Sequence, residues 1–296
     1  MKAKILITGA TGTTSQYAIQ ELLERNIPIR AMVRTLDERS KALEESGVEV
    51  VQGNFLDLDS IRQALNGIER AYFVYPFSED LPKAAGYFAK AARENGVKQV
   101  VNMSQMNARE NAPSPATQNH FISDEIFDWA NVGAVHIKPA LFAWNYLVMA
   151  APTVVSQGKF YFPETRSKFS IVHPKDIGNV VVSLLTDPDP VRHTGIRYPI
   201  SGAQTFTNEE VASTIGSLLG SNVEYNPIPV ETWINVMSDQ PTVNPFLAIH
   251  LRELVKDIDE GQFDDKSNTI RDLTGHEPRT FQEYLEEFKI VFTSKN

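Results

Sequence analysis

The 296-residue sequence contains no cysteine. That absence excludes disulfides, thiolate nucleophiles and thiolate metal sites together, and it fits a reducing compartment, so a cytoplasmic location is expected. Histidine is scarce as well. Six residues, scattered without metal-ligand spacing, predict no metal site. Basic side chains are the minority, 28 against 37 acidic ones, and the formal charge of −9 argues against a nucleic-acid partner, whose phosphates call for a basic surface. Long apolar runs are missing too. Pro139 to Gly158 is uncharged and of membrane-spanning length, but Asn145, Pro152, Ser156 and Gln157 interrupt it, so it reads as a loop and helix and not as an anchor. No signal peptide, linker or internal repeat is visible.

What is present is a well-mixed globular chain, 42% hydrophobic and 22% charged, long enough to bury a large core. Its organising stretch comes first. Lys2 to Thr8 holds the apolar run Ile5-Leu-Ile7, suited to a strand buried on both faces. Gly9-Ala-Thr-Gly12-Thr-Thr-Ser15 follows, and then Ala18, Ile19, Leu22 and Leu23 recur at helical spacing. A strand, glycine turn and helix in that order aim free backbone N–H groups and the positive end of a helix dipole at one point, which suits a diphosphate. Gly9 permits the turn and Gly12 lets the backbone approach a ligand, while Ser15 stands where a third glycine is usual. The bland alternative is a turn with glycines for steric reasons alone. Against it, a second strand, Pro28 to Arg34, follows at βαβ distance.

Further strands are expected at Val48–Gln52, Arg70–Tyr75, Gln99–Met103 and Gly133–Lys138, with helices between them. The helix Gln118 to Asn131 is expected to carry Ile122, Ile126 and Ala130 on one face. Six alternations of β and α predict a doubly wound, mostly parallel α/β sheet in the order 3-2-1-4-5-6, with a ligand at the carboxyl ends of the strands. A strand at Lys168–Val172 and a seventh at Tyr198–Ser201 follow. Thr207-Asn-Glu-Glu210 and Thr280-Phe-Gln-Glu283 match capping boxes. Residues 1–155, with about 168–203 returning to them, are expected to form the dinucleotide domain, and 156–296 a smaller, mostly helical lobe.

A dinucleotide fold that prefers NAD places an acid at the end of its second strand, for the ribose 2′-hydroxyl. Here that place is Arg34, a partner for a 2′-phosphate, so NADP(H) is preferred with NAD(H) as the alternative. The bland alternative is that Arg34 stacks on adenine or pairs with Asp37 or Glu38.

Together, Gly9-Ala-Thr-Gly12, Val33-Arg34, Gly53-Asn-Phe-Leu-Asp57, Lys138-Pro-Ala-Leu-Phe-Ala-Trp-Asn145, Asp176-Ile-Gly178 and Leu273-Thr-Gly-His-Glu-Pro278 resemble the NmrA-like family of atypical short-chain dehydrogenases/reductases over nearly the whole chain. The resemblance implies a Rossmann domain with NAD(P) in the crevice of its first strand. Members include NADPH-dependent quinone, dye and azo reductases, and redox-sensing regulators that bind the nucleotide without turning it over. Candidate cofactor residues are Gly9, Thr11, Gly12, Thr13, Thr14, Arg34, Asn54, Phe55, Tyr75, Met103, Pro139 and Phe142.

Ordinary members of the wider superfamily resemble one another in a Tyr-x-x-x-Lys pair on the helix after the fifth strand, with a serine ending that strand. The lysine lowers the tyrosine's pKa for proton transfer. Here Ser104 keeps the serine's place, but the helix offers His120-Phe-Ile-Ser-Asp124. An aspartate one turn on favours imidazolium, so His120 is expected either to serve the site, oriented by Asp124, or to form a surface pair with it. Lys168 is a third catalytic candidate. Without the Tyr/Lys pair, a conjugated acceptor whose reduced form is delocalised suits the chain better than a plain ketone. Phe77, Met106, Trp144, Tyr146 and His173 are candidate contacts for such a small aromatic substrate, or else ordinary core. The expected function is an NADPH-dependent reductase of quinone-, dye- or azo-like acceptors; the alternative is a non-catalytic NADP(H) sensor acting through a protein partner. A homodimer is compatible with the sequence.

Overall fold

The computed structural model describes residues 3–240 and 243–293, without the side chains of 146–149, 290 and 293. In chain order the first elements are β1 (Ile5–Ile7), α1 (Thr13–Glu24), β2 (Ile29–Val33), α2 (Glu38–Glu45), β3 (Glu49–Gln52), α3 (Leu58–Ala64), β4 (Arg70–Phe73), α4 (Leu81–Glu94), β5 (Gln99–Met103), α5 (Pro115–Ala130) and β6 (Val135–Pro139). They continue with β7 (Leu141–Phe142), α6 (Ala143–Gln157), β8 (Lys159–Pro163), β9 (Phe169–Val172), α7 (Pro174–Thr186) and β10 (Arg197–Ile200). The last are β11 (Thr205–Phe206), α8 (Asn208–Leu219), β12 (Glu224–Ile228), α9 (Val230–Ser238), α10 (Pro245–Asp259), α11 (Thr269–Thr274), α12 (Phe281–Glu287) and α13 (Ile290–Thr293). Among the described residues, no helix is long and apolar enough to cross a membrane.

Seven parallel strands form one sheet in the order β10-β6-β5-β4-β1-β2-β3, the doubly wound arrangement expected from the alternation of β and α. β1 lies between β2 and β4, with Ile5 opposite both Ile29 and Arg70. The strand order reverses there, and a crevice at the carboxyl ends of β1 and β4 is the usual ligand position of such sheets. On one face, α3 and α4 pack Ile61, Leu65, Ala85, Phe88 and Ala92 over Leu6, Ala71, Phe73 and Val100, all buried.

Two compact units form. One comprises residues 1–111, 117–138 and 177–198; the other comprises 112–116, 139–176 and 199–296. The first break of the chain into the second unit after the sheet's sixth strand falls at Lys138. The second unit has two small sheets of its own that sequence periodicity did not predict, β11-β9-β7 and the parallel pair β12-β8. Its helices start as the sequence signals. In both capping boxes the threonine accepts from the backbone of the third helical residue while the glutamate returns a bond, Thr207 with Glu210 and Thr280 with Glu283.

Within the first unit, α7 approaches α1 closely. A Cβ on Gly178 would lie 2.8 Å from Tyr17 Cβ and 3.0 Å from the Ala18 backbone nitrogen. Gly178 therefore sets the distance at which α1 is braced, and Asn179 adds a hydrogen bond to Glu21.

Candidate functional site

The turn between β1 and α1 is built for close backbone approach. Gly9 has φ +55°, which L side chains rarely adopt, and a Cβ there would lie 2.7 Å from Val74 Cγ1. Gly12 N donates to Gly9 O at 2.7 Å, closing the loop, and Gly12 then serves as the N-cap of α1. No side chain caps this helix and its first turn carries no acid, so its positive end is left uncompensated. Ser15 explains its own departure from glycine: its hydroxyl donates to the Thr8 carbonyl at 2.9 Å, tying helix start to strand end. Thr13 is exposed, whereas the Thr14 hydroxyl is turned inward onto Tyr72 at 3.1 Å. The Thr11 carbonyl accepts from Gln16.

Arg34, just past β2, is exposed and has no ion pair among the described residues. The pairing with Asp37 does not form. Asp37 instead caps α2 and binds Arg39 at 2.6 Å, which holds its carboxyl below the usual range. Asn54 is spent locally, its Oδ1 accepting from Leu56 N at 2.9 Å. Phe55 meets Tyr75 edge to face at 5.2 Å and Phe73 at 5.4 Å, so both Phe55 and Tyr75 are half-buried edges of the core cluster. Met103 is buried at the end of β5, and Met106 is half-buried in the loop beyond.

The inward face of α5 is mixed: Ile126 and Ala130 pack against the core cluster, beside polar residues. Ile122 is 41% exposed, and Ser123, Asp124 and Phe127 point inward. Asp124 accepts from Ser104 Oγ at 2.9 Å and from Asn102 Nδ2 at 2.8 Å, with His136 Nδ1 at 3.3 Å. His136 Nε2 in turn lies 3.0 Å from Asp128 Oδ1, and Asp128 also accepts from Arg197. Burial opposes the His136 imidazolium, but the two carboxylates outweigh it and raise its pKa above the ordinary histidine value.

His120 behaves differently from expectation. Asp124 does not hydrogen-bond it, being engaged by Ser104 and Asn102. Burial outweighs the attraction of the Asp124 charge and pushes the imidazole down to about 4, so it is neutral at pH 7. Phe77, half exposed, stands edge to face with it at 5.4 Å. Lys138, which the sequence shows only as part of a motif, also lies on this face of the sheet. It lies at the carboxyl end of β6 and donates to the Ala108 carbonyl at 3.1 Å. Half-burial lowers its pKa. Strand alternation sets Lys138 on the same strand face as His136.

The remaining candidates belong to the second unit. Lys168 is exposed and paired with Glu210 at 2.9 Å. His173 is buried; its Nδ1 accepts from Lys175 N, its Nε2 lies 3.4 Å from Glu287, and burial lowers its pKa. Trp144 is half exposed and meets Phe288 edge to face at 6.1 Å. Pro139 is buried and Phe142 half-buried, while the side chain of Tyr146 lies outside the described residues. The Asp176-Ile-Gly178 and His-Glu-Pro278 motifs meet through Arg279, whose backbone nitrogen donates to the buried Asp176 at 2.8 Å.

Known proteins resemble this chain along its full length. An NAD(P)H azoreductase from Xenophilus azovorans is 26% identical over 288 residues, spanning 97% of this chain and 99% of its own. A solved structure of an NADPH-dependent quinone oxidoreductase from Escherichia coli, complexed with NADPH, superposes with a TM-score of 0.83 at 23% identity, covering 96% of this chain and 99% of that one. A Citrobacter sp. triphenylmethane reductase complexed with NADP(H) gives the same TM-score at 22% identity, with 96% and 99% covered. The model of the NmrA-like family matches residues 1–285. A doubly wound sheet, a glycine turn opening onto an uncapped helix, and a family match over nearly every residue lead to one conclusion: this chain belongs to the NmrA-like family.

Proposed function

We propose that the chain is an NADPH-dependent reductase that delivers hydride to a quinone-, azo- or dye-like conjugated acceptor. The observation that carries this reading is the β1–α1 turn, where Gly9 and Gly12 exclude side chains and the helix end is uncapped, with the unpaired Arg34 just past the neighbouring strand β2. In this reading Gly9, Thr11, Gly12, Thr13 and the Thr14 backbone hold the diphosphate, and Arg34 holds the 2′-phosphate. Asn54, Phe55, Tyr75 and Met103 are its further contacts. The bound nicotinamide nucleotide supplies hydride. The azoreductase likeness and the two reductase folds, one bound to NADPH and one to NADP(H), support both the cofactor and the acceptor class.

The chain's own residues fit an acceptor that needs little activation. α5 carries no tyrosine, and the neutral His120 can exchange hydrogen bonds but does not act as an acid near pH 7. Ser104 is fixed by Asp124 and so presents a preset hydroxyl. Incubating the protein with NADPH and a panel of quinones, azo dyes and cationic triarylmethane dyes, while following loss of nicotinamide absorbance, tests the proposal. Turnover is expected. Tight nucleotide binding with no turnover across the panel would replace it with the sensor reading.

A further inference from the structure

A quinone or azo group that gains hydride becomes an anion and needs a proton to finish, whereas a triarylmethane cation that gains hydride is already neutral. The donor usual in the superfamily, a tyrosine on α5, is absent. The register that pairs Met103 with Ile137 sets Lys138 next to Ser104 on the neighbouring strand, and strand alternation turns both toward the face under α5. An ammonium has three N–H donors, and the Ala108 carbonyl engages one. Among the described residues no carboxylate lies within ion-pair distance of Lys138, unlike the surface lysines Lys90, Lys98 and Lys168, each paired with a glutamate. It is also only partly exposed, so part of its solvation is lost without a counter-ion to replace it.

We infer that Lys138 is the proton donor of the reaction. The inference rests on the reductase reading. The Nζ–H bond breaks as an O–H or N–H bond forms on the reduced acceptor, and the neutral amine regains its proton from water. The two electrons come with the hydride of reduced nicotinamide and none pass through the lysine. The charged or titratable groups acting on it are Asp124 and His120 on α5 and Arg197 on β10. Burial and Arg197 favour the free amine, Asp124 the ammonium, and the balance leaves a donor more acidic than an ordinary lysine.

The test uses the full chain, NADPH and two acceptors, a quinone and a cationic triarylmethane dye, with Lys138→Met and Lys138→Arg compared to wild type. Arginine keeps the positive charge but does not release its proton near neutrality, and it guards against a folding failure in the methionine variant. The ratio of quinone to dye kcat is expected to fall at least about tenfold in both variants. Wild-type quinone turnover should decline as pH rises through the lysine's pKa, with dye turnover flat. A second readout needs no turnover: after reductive methylation with labelled formaldehyde, one dimethyl-lysine NMR signal, missing in Lys138→Arg, should titrate below the others. A ratio unchanged in both variants, or a Lys138 signal that titrates with the surface lysines, overturns the assignment. If wild type turns over neither acceptor, the reductase reading itself falls and the donor role falls with it.

Discussion

Arg34 occupies the position at which an NAD-preferring dinucleotide fold places an acid, and its nearest carboxylate in sequence, Asp37, is already bound to Arg39 and to the α2 backbone. A free, exposed guanidinium there is open to an incoming anion. Replacing Arg34 by alanine should weaken NADPH binding about 10- to 100-fold, the loss of roughly 1.5–3 kcal/mol carried by charge-assisted hydrogen bonds, while NADH binding changes by about twofold or less. Calorimetric titration of both nucleotides checks it; equal losses for the two would remove Arg34 from the 2′-phosphate. The histidines predict pH effects of opposite sign. His120 has a folded pKa of about 4, below its unfolded value. Its contribution is complete above about pH 6.5 and is lost as pH falls toward 4, up to about 3 kcal/mol. His136, raised by its two carboxylates, stabilises below about pH 6.5 and loses that stabilisation as pH rises through its folded pKa. Urea unfolding at pH 5 and pH 7 should therefore show His120→Gln less acid-sensitive than wild type. The same slope in both proteins would mean that folding does not lower the pKa of His120.

At the scale of elements, α1 pairs a free helix end with a tight brace. Its first turn has no acid, so Thr13→Glu should stabilise the ligand-free protein by about 0.3–1 kcal/mol through the helix dipole and at the same time repel a diphosphate. A rise in melting temperature together with weaker NADPH binding is the expected pair of results; stabilisation with unchanged binding would separate the helix end from the ligand. Gly178 and Gly86 offer a second contrast. A Cβ on Gly178 meets the α1 backbone, which cannot yield as a side-chain tip can, whereas a Cβ on Gly86 in α4 meets nothing within 4 Å. Gly178→Ala should cost about 1–3 kcal/mol, and Gly86→Ala should stabilise by about 0.5–1 kcal/mol, both read as shifts in the denaturation midpoint.

These elements also show which parts of the fold the sequence carries by itself. The glycine turn, the two capping boxes and the alternation of strand with helix are local signals, and local signals survive folding; from them followed the sheet order and the crevice. The β8–β12 pair was not readable, because it joins strands more than sixty residues apart and each contains a proline. The polar part of α5's buried face was not readable for another reason. Periodicity weighs apolar side chains, yet Asp124 is buried because Ser104 and Asn102 on a different element satisfy it, and no helical pattern records that partner. The same limit hid Lys138, whose role depends on a register between β5 and β6.

Over the whole molecule, a chain of net charge −9 must attract a polyanionic nucleotide against its own field. Only a site that concentrates helix-end N–H groups and a guanidinium can do so, which makes nucleotide binding the central claim and the acceptor chemistry its consequence. Binding to the folded state alone also stabilises that state, by about 2.7 kcal/mol at a hundredfold excess over Kd. The most direct measurement is an isothermal titration of the ligand-free protein with NADPH and, separately, NADH. One site per chain is expected, at least about tenfold tighter for NADPH. No heat with either nucleotide would contradict the account at its root.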